Sequence, residues 1–195
     1  MGVRSNSLKD IANDLILDAG NAWLQGVRRV PSPNCDARPA ASEPELVVIH
    51  SISLPAGSFG PPHVEAFFCN RLDVDAHASF PQIARLRVSA HVLIRRHGEL
   101  VQFVPFTKRA WHAGVSCYDG RDCCNDFSIG IELEGCDWQP FENAQYRRLA
   151  DLVRLLKATW PAIGADRLVG HSDIAPGRKT DPGPHFDWRM LTSLL

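Results

Sequence analysis

Apolar and polar positions alternate most cleanly over residues 127–134, where Ile129, Ile131 and Leu133 point one way and Ser128, Gly130, Glu132 and Glu134 point the other. A period of two predicts a strand with one buried face. Glu45-Leu46-Val47-Val48-Ile49 is a short apolar run rich in β-branched residues, which predicts a buried strand ending at His50. Residues 88–106 read as a hairpin, with 89–94 and 100–104 flanking a polar turn that contains His97-Gly98.

The period lengthens to that of a helix over residues 143–160. There Tyr146, Leu149, Ala150, Val153, Leu156 and Trp160 share one stripe, and Pro161 ends it. Residues 64–70 predict a short helix, and 187–195 a closing one with Asp187 as its N-cap. At the N-terminus, Ser7-Leu8-Lys9-Asp10 resembles a capping box. Leu8, Ile11, Ala12, Leu15 and Ala19 then share a face, and Gly20 is the expected stop. Residues 29–44, 51–62 and 170–184 are rich in Pro, Gly and small polar residues and read as loops; 108–125 is irregular. Strands mixed with helices, together with a hairpin, predict an α/β fold in which a central mixed β-sheet is flanked by helices.

Composition narrows the function classes. With 45% hydrophobic and 22% charged residues, the chain is neither disordered nor fibrous. Its 195 residues suit one domain, at roughly 150 residues per domain. A net charge of −1 offers no cationic excess to a phosphate backbone, so no nucleic-acid partner is expected. No stretch of about 18 apolar residues suggests a membrane span. The charges at Arg4, Lys9, Asp10, Asp14 and Asp18, with no apolar run or cleavage site after them, argue against an export signal. A cytoplasmic protein is therefore expected. Six irregularly spaced cysteines include an adjacent pair, Cys123 and Cys124, that suits neither a zinc knuckle nor an easy disulfide; they read as reduced thiols.

Candidate chemistry begins with His50, between a buried strand and a Gly-rich loop. His171 lies in Val169-Gly170-His171-Ser172-Asp173, and Asp181 follows ten residues later. Two histidines and one aspartate can form a three-ligand zinc site with a fourth position open to water, the catalytic arrangement. The same spacing also suits a strand-end histidine bonded to backbone and a histidine capping a loop. Glu132 reads either as a working carboxylate or as the solvated face of an edge strand. Lys179, two residues before Asp181, reads otherwise as an ordinary surface lysine.

Several ungapped blocks in one order carry a family likeness. They are Arg29-Val30-Pro31-Ser32-Pro33-Asn34, Val47-Val48-Ile49-His50-Ser51-Ile52-Ser53-Leu54-Pro55, Leu86-Arg87-Val88-Ser89-Ala90-His91 and Arg109-Ala110-Trp111-His112-Ala113-Gly114. Two more follow: residues 125–135, around Ile129-Gly130-Ile131-Glu132-Leu133, and Arg178-Lys179-Thr180-Asp181-Pro182-Gly183-Pro184. The chain thereby resembles the AmpD-type 1,6-anhydro-N-acetylmuramyl-L-alanine amidases. These belong to a zinc amidase family that also includes a phage T7-type lysozyme and the peptidoglycan recognition proteins. The likeness runs from about Trp23 to Trp188. It sets residues 1–20 apart as a helical N-terminal extension and makes 21–195 the zinc amidase catalytic domain.

Position by position, the resemblance implies that His50, His171 and Asp181 hold zinc. It implies that Glu132 and Lys179 act on the substrate, as general base and oxyanion stabiliser, and that the site lies in a groove over the sheet. The implied reaction cleaves the amide between (1,6-anhydro)-N-acetylmuramic acid and L-Ala of an anhydromuropeptide, in cytosolic peptidoglycan recycling. A monomer is expected. Arg87 is expected to meet stem-peptide carboxylates or else to form a strand-end salt bridge. Trp111 is expected to pack on sugar or lactyl carbons, and His112 to contact substrate; neither His91 nor His112 is expected to ligate metal. The chain departs from the family pattern at Ser51 (Asn expected), Ser79 (Tyr expected) and Cys123 (Arg expected). The Cys123 change bears on stem-peptide affinity. Two alternatives share these residues: a muropeptide-binding module, and an amidase that acts on intact cell wall.

Overall fold

The computed structural model describes residues 15–18, 20 and 22–195. Two short strands, β1 (Arg28–Arg29) and β2 (Cys35–Ala37), precede the long β3 (Leu46–Ile52). Helices α1 (His63–Phe68) and α2 (Phe80–Ile83) lead to the hairpin β4 (Val92–Ile94) and β5 (Leu100–Gln102). The short β6 (Lys108–Ala110), β7 (Cys117–Tyr118) and β8 (Arg121–Asp122) come before the second long strand, β9 (Ser128–Glu134). The chain closes with α3 (Asn143–Thr159), β10 (Leu168–Gly170), α4 (His171–Ile174) and α5 (Trp188–Leu194).

Six strands form one sheet in the order β1-β5-β4-β9-β3-β10. Only β4 and β5, joined by the turn at His97-Gly98, run antiparallel; the other neighbours are parallel. The architecture is the mixed α/β sheet that the sequence predicts. The two long strands pair over seven positions, from Leu46 opposite Ser128 to Ile52 opposite Glu134.

Each strand sends alternate side chains to opposite faces. Val47, Ile49, Ile129, Ile131 and Leu133 pack with Leu149, Leu152, Val153 and Leu156 of α3. That leaves Leu46, Val48 and His50, with Ser128, Gly130 and Glu132, on the other face. There Leu46 and Val48 join Ala113, Cys124, Phe127 and Ile174 in a smaller apolar cluster that floors the site. Buried Gln145 donates to the carbonyls of Ile94 and Glu134 and so ties the first turn of α3 to two strands.

Several boundaries differ from expectation. β3 runs past His50 to Ile52, because the ladder with β9 continues; His50 is therefore inside a strand. Glu132 lies on a central strand whose residues are all buried, which removes the solvated-edge reading. The region 170–184 is not all loop, since α4 occupies Ile174 back to His171. Of the expected N-terminal helix, most falls outside the described residues. The described part is not helical: Leu17 bridges Leu24 in antiparallel fashion, and Leu15 and Leu17 pack on the main core. Phe103 and Phe106 are fully buried in the core. The closing helix starts as predicted, with the Asp187 carboxylate accepting from the Met190 N–H at 3.0 Å.

Candidate active site

Three chain segments converge above the floor of the sheet. His50 comes from the middle of β3. His171 is the first residue of α4, directly after β10, which pairs in parallel with β3. Asp181 is brought back to His171 by the Ser172 N–H, which donates to the Asp181 carbonyl at 2.9 Å. Gly170 permits this approach, because a Cβ there would lie 2.9 Å from Cδ of Pro182. As a result His50 Nδ1 and His171 Nδ1 are 2.9 Å apart, and each is 3.0 Å from Asp181 Oδ2.

The hydrogen-bond network fixes where the protons are. His171 Nε2 lies 3.1 Å from the Ala113 carbonyl, which only accepts, so Nε2 carries the proton. The Ser128 hydroxyl donates to the Cys124 carbonyl at 2.5 Å, so its oxygen accepts from His112 Nε2 at 3.2 Å. A neutral His112 then accepts at Nδ1, and its partner 2.9 Å away, His50 Nε2, must be the donor. With His171 in its neutral form, the Nδ1 atoms of His50 and His171 are then lone pairs pointed at each other and at a carboxylate oxygen.

Burial favours this state. It pulls the His50 imidazole down to about 4 and His112 well below its usual range, so both are neutral near pH 7. Three lone-pair donors with no proton between them repel unless a cation lies among them. Their donor types and their separation of 2.9–3.0 Å suit an ion held at about 2.0–2.2 Å from each. Among the described residues these three are the group that meets the requirements for a metal.

Glu132 stands opposite His50 in the β3–β9 ladder. It is 8% exposed, and its buried Oε2 has no hydrogen-bond partner. Burial raises its pKa well above the ordinary carboxylate value; the Asp181 charge adds to this and the Lys179 charge opposes it. Lys179 is exposed, on the loop two residues before Asp181, yet its ammonium acts electrostatically on both His50 and Glu132.

The three residues expected to contact substrate meet protein groups in the structure. His112 is buried behind His50, between it and Ser128, and its contacts are with these protein groups. Half-buried Trp111 donates its indole N–H to Asp36 Oδ1 at 3.2 Å, and Arg109 grips the same carboxylate. Arg87 is exposed and turns back to the carbonyls of Ala84, Arg85 and Leu86, with no carboxylate partner among the described residues. Among the departures from the family pattern, Ser51 has a buried hydroxyl without a partner, and the Ser79 hydroxyl meets His77 Nδ1 at 2.8 Å. Cys123 is exposed, with a left-handed φ of 61°.

Sequence reasoning missed Ala113, Asn125 and Ser128 as supports. Gly130 offered a signal: a glycine on the polar face of an alternating strand leaves room for another group. A Cβ there would fall 2.4 Å from Cγ of His112.

The family profile described as N-acetylmuramoyl-L-alanine amidase matches residues 40–184, and the chain belongs to that family of amide hydrolases. Within it, the relatives are of the AmpD type. The chain is 60% identical over 173 residues to the 1,6-anhydro-N-acetylmuramyl-L-alanine amidase AmpD of Salmonella typhimurium (strain SL1344), covering 89% of this chain and 92% of that one. A crystal structure of a selenomethionine derivative of AmpD superposes with a TM-score of 0.89 at 56% identity, covering 92% of this chain and 99% of the other. The E. coli amidase AmiD is 30% identical with a TM-score of 0.58, over 93% of this chain and 65% of that one. Its structure is a complex with the substrate anhydro-N-acetylmuramic acid-L-Ala-D-γ-Glu-L-Lys.

Proposed function

We propose that the chain hydrolyses the amide between the lactyl group of 1,6-anhydro-N-acetylmuramic acid and L-Ala of a stem peptide, using zinc, in cytoplasmic recycling of peptidoglycan fragments. The observation that carries the reading is the convergence of three bare lone pairs beside an unpartnered buried carboxylate. The AmpD relatives and the muropeptide in the AmiD complex support the substrate class. Among the described residues no helix is long and apolar enough to cross a membrane.

His50, His171 and Asp181 would hold the ion, whose chemistry is to polarise the amide carbonyl and acidify water. Glu132 Oε2, buried and without a partner, accepts the proton of the attacking water. The water oxygen bonds to the lactyl carbonyl carbon, the C–N bond breaks, and Glu132 returns the proton to the departing L-Ala nitrogen. The Lys179 ammonium stabilises the charge that develops on the carbonyl oxygen, an effect typically worth about 3 kcal/mol. Desolvation makes Glu132 a stronger base than an exposed carboxylate.

The test is to incubate the protein with anhydromuramyl-tripeptide, with and without a chelator, and identify products by mass spectrometry. Free tripeptide and anhydromuramic acid are expected, abolished by chelation and restored by zinc. Zinc-loaded protein that binds the fragment without cleaving it would overturn the enzymatic reading in favour of a binding module.

A further inference from the structure

Both histidine donors end on one dipeptide. The outer nitrogen of His50 meets the His112 ring at 2.9 Å, and the outer nitrogen of His171 meets the Ala113 carbonyl at 3.1 Å. This dipeptide follows β6 and belongs to no strand, so no ladder holds it. Instead the His112 and Ala113 N–H groups donate to a single atom, Oδ1 of Asn125, at 3.1 and 2.8 Å. We infer that Asn125 is a positioning residue for both histidines at once, acting through the His112–Ala113 dipeptide; this rests on the metal reading above.

The acceptor is itself anchored. Arg38 Nη1 donates to the carbonyls of Asn125 and Asp126 at 3.1 and 3.0 Å, and Nη2 donates to the Ser128 carbonyl at 2.9 Å. The guanidinium thus pins the Asn125 turn to the start of β9, the strand that also carries Glu132. Two further contacts define the dipeptide from its other sides. Gly130 leaves the space that the His112 ring fills, and Arg178 Nη2 shares the Ala113 carbonyl at 2.6 Å. Removing the Asn125 oxygen frees two adjacent N–H groups together. The peptide can then rotate, moving the ring that orients His50 and the carbonyl that orients His171. Partners of this kind typically affect metal affinity by roughly 10–100-fold.

The test measures zinc affinity of the full chain by competition with a chromophoric chelator, alongside 15N NMR of the zinc-loaded histidines. Asn125→Ala is expected to weaken zinc binding roughly 10–100-fold. It should also broaden the Nε2–H signals of both His50 and His171 through faster exchange with water. Asn125→Asp keeps an acceptor oxygen and is expected to stay within about threefold of the native affinity, a margin of under 1 kcal/mol. If metal-free Asn125→Ala fails to fold by circular dichroism, Asn125→Ser, whose oxygen is drawn back from the two N–H groups, replaces it with the same expectation. Native-like affinity in these variants, equal losses in Asn125→Ala and Asn125→Asp, or disturbance of one histidine alone would overturn the inference. Native protein that binds no zinc would instead overturn the metal reading.

Discussion

His50 and Glu132 occupy directly opposed positions on neighbouring parallel strands, within a ladder of seven pairs. Their separation is therefore set by backbone hydrogen bonds and not by a loop. Glu132→Gln preserves shape and removes basicity. We expect zinc content to be unchanged and kcat to fall roughly 10²–10⁴-fold. Turnover within a few-fold of native at full zinc occupancy would disprove the base assignment.

Among the described residues, Asp181 is the carboxylate of the three groups that could hold the metal. Asp181→Ala leaves two neutral imidazoles for a dication, so zinc and activity should be lost together. Metal analysis after dialysis checks this, and retained stoichiometric zinc would contradict it.

Lys179 is on a flexible side-chain stem, but its charge reaches Glu132 and lowers its pKa. Lys179→Ala should reduce kcat/KM roughly 10²–10³-fold with zinc intact. Without that charge Glu132 holds its proton more tightly, so the acidic limb of the pH profile should move to higher pH. An unmoved limb with near-normal turnover would rule out the assigned role.

His91 is buried away from the three donors, between the Gly130 N–H and the Lys108 carbonyl. Burial, with the Arg38 charge second, pulls its pKa down to about 3. In the window from about 6.5 to 3 the unfolded chain takes up a proton that the folded one refuses. Stability of the zinc-free protein should thus fall as pH falls through that window, with a slope of about 1.4 kcal/mol per pH unit for each such imidazole. Urea titrations from pH 7 to 4 measure it, and His91→Gln should show a shallower dependence. Equal slopes would contradict the attribution.

Gly130→Ala should push His112 from its seat, since the added carbon would lie 2.4 Å from the ring. We expect weaker zinc binding and a loss of about 1–3 kcal/mol from overpacking, read by chelator competition and urea denaturation. An unchanged affinity would mean that the ring adapts.

The long strands and α3 were legible because their burial patterns extend over several periods. The alternation over 127–134 correctly placed Ile129, Ile131 and Leu133 in the core and Glu132 on the opposite face. Strands of two or three residues, such as β1 and β6, carry no readable period, and β3 outlasts its apolar run because pairing with β9 continues through Ser51. His50, His171 and Asp181 were recognisable from residue blocks, and the structure brings them together. The place of His112 was not legible: its partners include the carbonyl of Cys124, reached through Ser128, and backbone acceptors leave no mark in composition. Over residues 15–18 the expected helix gives way to non-helical chain, with Leu17 bridged to Leu24 and Leu15 and Leu17 packed on the core.

The distribution of the three donors along the chain has a bearing on biosynthesis. His50 is made 121 residues before His171 and 131 before Asp181. At roughly 5–20 residues per second, roughly 7 to 26 seconds separate the first donor from the last. β9 and β4 can pair beside β3 early in that interval, whereas β10 is made only near its end. On the proposed metal reading, capture of an ion by the full set would wait for the last strand of the sheet, so loading would report that the sheet is finished.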